Sequence, residues 1–164
     1  MEIKGKTIII TGAARIGQHV ANELKNRGAN LVLTYLSDEK EIGDLGVGVR
    51  ADVSKREDVE KVVAMAKEKF GHIDGLIHMA AIYEKSPFET LSEHDWNRNM
   101  NIIAKSSYLF GKIVGDEMLQ NSGDINPVRS QTPKASADAF AHQTSNGVKG
   151  KMIFFSDWSV LARP

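Results

Sequence analysis

The sequence predicts an α/β protein: a doubly wound parallel sheet with helices on both faces, incomplete at its C-terminal side. Two observations predict it. Short apolar, β-branched segments alternate with segments of helical period through the first two thirds of the chain. The first of these segments runs straight into a small glycine turn and then a helix, in Lys6-Thr7-Ile8-Ile9-Ile10-Thr11-Gly12-Ala13-Ala14-Arg15-Ile16-Gly17. Parallel strands need crossovers of this length, and right-handed crossovers wind an open sheet with helices on either side.

The elements follow in order. Thr7 to Ile10 reads as a buried strand, followed by a helix with Ile16, Val20 and Leu24 at helical spacing and Gly28 as its stop. Asn30 to Tyr35 is the second strand, and the polar, glycine-containing stretch from Ser37 to Gly46 allows only a short helix. Val47 to Ala51 is the third strand. Ser54-Lys55-Arg56-Glu57 then matches a capping box, opening a helix with Val59, Val62, Val63, Ala66 and Phe70 on one face. Gly75 to Met79 is the fourth strand. Ser92 to Asp95 caps a helix running towards Leu119 with a break near Asn99 to Ile103, and Lys151 to Phe155 is the fifth strand.

The segment from Asn121 to Lys149 breaks this order. It is rich in Ser, Thr, Asn, Ala and Gln, contains Pro127 and Pro133, and lacks an apolar period. A structureless stretch of that length is uncommon inside a compact domain, so it reads as a mobile insert in preference to a structured lid. The remainder, within 1–164, reads as one partial dinucleotide-binding domain.

Composition narrows the function. The 164 residues carry 21 Lys and Arg against 21 Asp and Glu, with no Cys. No net field favours nucleic acid, and the basic residues are dispersed without aromatic interleaving. Thiol catalysis, disulfides and thiolate metal sites are excluded. With neither a signal peptide pattern nor an apolar run long enough for a bilayer, a soluble cytoplasmic protein is expected. His19, His72, His78, His94 and His142 show no metal-ligand spacing and read as surface or supporting residues, with no metal site expected. His78, at a strand end, is the one to watch. Trp96 and Trp158 read as packing residues, with Trp158 alternatively flanking a substrate ring.

Ligands in open α/β sheets sit beyond the carboxyl ends of the strands. Thr11-Gly12, Asp52, Met79-Ala80 and Ser156-Asp157 all fall at such ends. The turn after the first strand presents the unpaired amides and positive dipole end of a helix, a ready site for phosphate, and glycine leaves room for a diphosphate to approach.

These residues resemble the short-chain dehydrogenase/reductase family, whose fold is of the Rossmann type. Four pieces occur in that family's order: Thr11-Gly12 to Gly17, Asp52-Val53, Leu76 to Ala81 after Asp74, and Gly150 to Asp157. Phe154-Phe155-Ser156-Asp157-Trp158-Ser159 is similar to the pteridine-reductase-like branch, in which an Asp stands where most members have a catalytic Ser. The resemblance implies NAD(P)-dependent hydride transfer to a carbonyl or pterin-like small molecule. It implies Gly12, Arg15, Ile16 and Gly17 at the phosphates, Asp52 at the adenine edge, Val53 on the ring and Ala80 against the cofactor. Asp157 takes the catalytic role of orienting substrate or water, its alternative being a loop-capping carboxylate. Arg15, with Ser37 as a further donor, favours NADP through forked bonds to a 2′-phosphate. Asp38 keeps NAD open. Asp52 alternatively only turns the chain.

The sequence also departs from the family. The glycine turn is one residue short. Met79-Ala80-Ala81 stands where the family has Asn-Ala-Gly, and Met cannot make the Asn's strand-tying bonds. The catalytic Asn position falls on Ile103, where only a backbone carbonyl is left to relay a proton. The Tyr-x-x-x-Lys pair that supplies the proton should follow the fifth strand. Tyr35, Tyr83 and Tyr108 lie elsewhere and are read as having no Lys four positions on, so the pair is read as absent and the chain as truncated. A second function class therefore stays open: a non-catalytic nucleotide-binding or assembly module. An open sheet edge at the fifth strand predicts self-association into a homo-oligomer.

Overall fold

The computed structural model describes residues 2–14, 16–37, 42–82, 87–120 and 150–155. Five parallel strands form one sheet in the order β3-β2-β1-β4-β5: β1 is Thr7–Thr11, β2 Asn30–Tyr35, β3 Val47–Arg50, β4 Gly75–His78 and β5 Lys151–Phe154. The order reverses at β1, which pairs with β2 on one side and β4 on the other. That reversal places the ligand crevice of a doubly wound sheet beyond the ends of β1 and β4.

The helices are α1 (Ile16–Asn26), α2 (Arg56–Phe70), α3 (Glu93–Met100) and α4 (Ser106–Gln120). Successive residues of a central strand point to opposite faces, and the two cores follow from that alternation. Ile9, Val32 and Leu76 face α2 and α4, packing with Val59, Val62, Val63, Ala66, Leu109, Phe110 and Val114. Ile8, Ile10, Leu31 and Leu33 face α1, packing with Ala13 and Ala21. The sheet is therefore covered on both sides, as expected of a doubly wound fold.

Local sequence explains most boundaries. Gly71 takes the left-handed conformation (φ 78°) and caps α2, its amide donating to Lys67 O at 2.8 Å. Ser92 and Asp95 form a reciprocal capping box on α3, Ser92 Oγ accepting from the Asp95 amide at 3.1 Å and the Ser92 amide donating to the Asp95 carboxylate at 3.0 Å. The expected break is a π-helical turn over Asn101–Lys105 that joins α3 to α4. There the Ser106 amide reaches back to Asn101 O, and the Ser107 hydroxyl donates to Ile103 O at 2.7 Å. Such hydroxyl back-bonding competes with the helical ladder and bends it.

Three expectations need correction. The capping box at Ser54 does not form, because the first non-helical residue of α2 is Lys55 and no side chain caps it. Ser54 instead donates its amide and hydroxyl to Asp52 Oδ1, at 3.0 and 2.7 Å. Ile16 does not join the buried stripe of α1, being 72% exposed, while Gly17 and Ala21 face the sheet. Small residues take that face because the helix sits close against the strands. Trp96 is no packing residue, since α3 buries none of its side chains and leaves the indole 58% exposed. The insert at 121–149 lies outside the described residues.

Candidate functional site

The ends of β1 and β4 are held at close quarters. Gly12 has φ 71°, and a Cβ there would stand 2.7 Å from the Met79 carbonyl carbon and oxygen and 2.8 Å from the Ala80 nitrogen. A Cβ on Gly17 would overlap the Gly12 carbonyl oxygen. The protein's own backbone thus requires both glycines, one where strands β1 and β4 part and one where α1 lands on the β1 end. The short turn closes through the Gly17 amide, which donates to Ala14 O at 3.1 Å. The amides of Ala13, Ala14 and Ile16 have no partner among the described residues. Among the described residues the mouth of α1 therefore keeps these backbone donors without a partner. The Met79 side chain packs beneath it, with Cε 3.4 Å from the Gly17 Cβ position, among the apolar residues of the α1 face.

Behind this mouth lies a buried polar chain. Thr11 Oγ1 accepts from the Met79 and Ala80 amides, each at 3.2 Å, and lies 2.8 Å from His78 Nδ1. On its other side, His78 Nε2 is 2.9 Å from Ser106 Oγ, the first residue after the π-turn. Ser106 Oγ in turn donates to Ile102 O. His78 is 1% exposed and sits between the rings of Phe110 and Phe154, at centroid distances of 5.2 and 5.8 Å. Burial lowers its pKa to about 4 from 6.5, so the ring is neutral at neutral pH. Of the two roles expected for the histidines, surface or supporting, His78 takes the supporting one, buried between Thr11 and Ser106.

The other sequence-predicted residues are distributed along the same edge. Ser37 is exposed just beyond β2. Asp52 follows β3 and uses Oδ1 to accept from Ser54, with Oδ2 3.6 Å from Lys55 Nζ. Burial opposes its charge, yet the Ser54 bonds and Lys55 prevail and hold its carboxyl below the usual range. The turning role expected as its alternative is present. Val53 is 9% exposed and belongs to the core under α2, so little of its side chain is free for a ring. Ala80 packs partly against the same core. Arg15, Asp38 and Asp157 lie outside the described residues.

One reading of the tyrosines is corrected outright. Tyr108 does have a lysine four positions on, Lys112, so a Tyr-x-x-x-Lys spacing exists in this chain. It lies on α4, before β5, where Tyr108 is 61% exposed and Lys112 Nζ is paired with Asp116 at 2.7 Å. Spacing alone does not put this pair at the strand ends.

A family model described as enoyl-(acyl carrier protein) reductase matches residues 12–146. The chain belongs to the short-chain dehydrogenase/reductase family. Among curated relatives, oxidoreductase UcpA of Salmonella typhimurium is 35% identical over 147 residues, covering 84% of this chain and 56% of that protein. An NAD-dependent glycerol dehydrogenase of Listeria innocua is 32% identical over 130 residues, covering 74% of this chain and 50% of the relative. The solved structure of a 3-ketoacyl-(acyl-carrier-protein) reductase from Brucella melitensis complexed with NADH superposes with TM-score 0.66 at 26% identity, over 74% of this chain and 53% of that one. The chain thus spans about half the length of the curated relatives it matches. Within this short-chain dehydrogenase/reductase chain, Met79-Ala80-Ala81 stands where an Asn-Ala-Gly turn was expected, and Thr11 Oγ1, backed by His78 and Ser106, accepts from its Met79 and Ala80 amides. Sequence reasoning missed Ser106; its only signal was a serine directly after a predicted helix break.

Proposed function

We propose that this chain forms the dinucleotide-binding part of an NAD(P)H-dependent oxidoreductase that reduces a carbonyl or pterin-like small molecule. The observation that carries the reading is the glycine-lined mouth of α1, where the amides of Ala13, Ala14 and Ile16 have no partner among the described residues, at the switch in strand order. Such donors at a positive helix end suit a diphosphate. In this reading Gly12, Ile16 and Gly17 hold the diphosphate, and Arg15 and Ser37 meet a 2′-phosphate. Asp52 and Val53 border adenine, Ala80 lies against the cofactor, and Asp157 orients substrate or water. When bound, the nicotinamide supplies the hydride. Arg15 and Ser37 favour NADP, whereas Asp38 and the NAD named for the Listeria relative favour NAD. The pteridine-reductase-like assignment rests on Phe154 to Ser159. A cytoplasmic homo-oligomer and one domain over 1–164 belong to the same reading.

A second reading, a non-catalytic nucleotide-binding or assembly module, is favoured by one group of residues. Ile103 offers no polar side chain at the expected catalytic Asn, and its carbonyl already accepts from Ser107 Oγ at 2.7 Å. Among the described residues, Tyr108 and Lys112 face solvent on α4, away from the strand ends where a proton donor would stand.

Titration of the purified chain with NADPH and NADH, following energy transfer from tryptophan to the reduced nicotinamide, tests both. Micromolar binding of either dinucleotide supports the shared cofactor site, and binding of neither defeats it. Oxidation of the bound dinucleotide by a panel of ketones and pterins then separates reductase from module.

A further inference from the structure

We propose that His78 is a positioning residue, a neutral ring that couples the dinucleotide-facing turn at Met79-Ala80 to the π-turn of the α3–α4 helix. The inference rests on the dinucleotide reading for its functional consequence, and on hydrogen-bond accounting for its structure.

The accounting admits one arrangement. Ser106 has a single hydroxyl hydrogen, and it goes to Ile102 O. Ser106 Oγ must therefore accept from His78 Nε2, 2.9 Å away, so Nε2 carries the proton. In a neutral ring Nδ1 is then bare and accepts from the Thr11 hydroxyl at 2.8 Å. Thr11 Oγ1, having given its hydrogen, uses its lone pairs for the Met79 and Ala80 amides. Every donor and acceptor in the chain is used. The opposite tautomer would aim a third donor at Thr11 Oγ1 and withdraw the Ser106 hydrogen from Ile102. A charged ring would strand the Thr11 hydroxyl hydrogen. Only the Nε2–H form satisfies the whole path from Ile102 to Ala80, and unsatisfied members of such a buried network are costly.

Two features give the path a functional direction. Ala80 N has Thr11 Oγ1 as its one partner among the described residues, whereas Met79 N also donates to Thr11 O at 3.1 Å. The position of Ala80 therefore depends on the Thr11 hydroxyl, and the hydroxyl's direction depends on His78. At the other end, Ser106 terminates the π-turn that contains Ile103, the expected catalytic Asn position. His78 links the two regions through its two ring nitrogens.

Three measurements on the whole chain test it. In long-range proton–nitrogen spectra at pH 7, the His78 ring shows a protonated Nε2 and a bare Nδ1. Ser106→Ala, a small change remote from the turn, raises the exchange rate of the Ala80 amide at least tenfold and weakens NADH or NADPH binding about tenfold. Thr11→Ser keeps the hydroxyl and retains wild-type exchange, while Thr11→Val does not. A proton on Nδ1, or wild-type Ala80 exchange in Ser106→Ala, overturns the coupling. If the wild-type chain binds neither dinucleotide, the cofactor reading falls, and the ring spectrum and Ala80 exchange still decide the coupling.

Discussion

At the scale of single residues, glycine positions separate by what surrounds them. Gly12 and Gly71 share a left-handed backbone, φ 71° and 78°. A Cβ on Gly71 meets open space, while one on Gly12 strikes the Met79–Ala80 backbone at 2.7 Å. Gly71→Ala should cost about 1 kcal/mol from conformation alone. Gly12→Ala should cost upwards of about 3 kcal/mol, since strand β4 must also shift. Urea unfolding of both variants checks the ordering, and equal losses would refute it. His78 gives a second expectation. Its pKa falls from 6.5 to about 4 on folding. The unfolded chain then binds more protons between those values, so stability is full above about pH 6.5 and declines as pH drops towards 4. The decline is on the order of 3 kcal/mol. Asp52 and Asp74 have carboxyls held below the usual range, so their loss of stability comes only as the pH falls below 3.8. Urea unfolding from pH 7 to 4 should show the slope in the wild type and a flatter line in His78→Phe.

At the scale of elements, the two serines that match a capping pattern behave differently. Ser92 caps α3, a helix with no buried side chain, whose stability therefore leans on its ends. Ser92→Ala should cost about 1 kcal/mol and speed amide exchange through α3. Ser54 caps nothing and only braces Asp52. Ser54→Ala should cost less, about 0.5 kcal/mol, with α2 exchange unchanged; a larger loss in Ser54→Ala than in Ser92→Ala would refute the assignment. The pattern S-x-x-E is local, whereas a cap is decided by where the chain leaves the preceding strand, and Asp52 competes for Ser54 first. The same limit governs the rest. Strand bounds were legible because apolar runs such as Thr7 to Ile10 need no partner to be recognised. The face of α1 was not, because Ile16 looks like a core residue until Gly12 and Gly17 bring the helix too close for a large side chain. The Thr11–His78–Ser106 chain joins positions far apart in sequence, and no local pattern reveals which of the four described histidines is buried.

At the scale of the whole molecule, the covering of the sheet is uneven. Face to face with α2 and α4 the core is continuous, but on the α1 side it thins towards β5. There a cavity of about 240 Å³ opens among Ile3, Ile8, Leu24, Ile77, Lys151 and Ile153. Ile153 is 49% exposed, Phe154 43% and Phe155 55%, and β5 is an edge strand of the described sheet. An edge with unpaired backbone groups and apolar rows on both faces favours pairing with another such edge, and a charge placed inward on it opposes that. The chain on its own should therefore associate with itself in a concentration-dependent way, and Ile153→Lys should shift it towards monomer without lowering the cooperativity of unfolding. Light scattering across a hundredfold range of concentration reads this directly. A wild-type chain that stays monomeric throughout, or an Ile153→Lys variant that associates as strongly, would show that the β5 edge is already covered and that the uneven core has no consequence in solution.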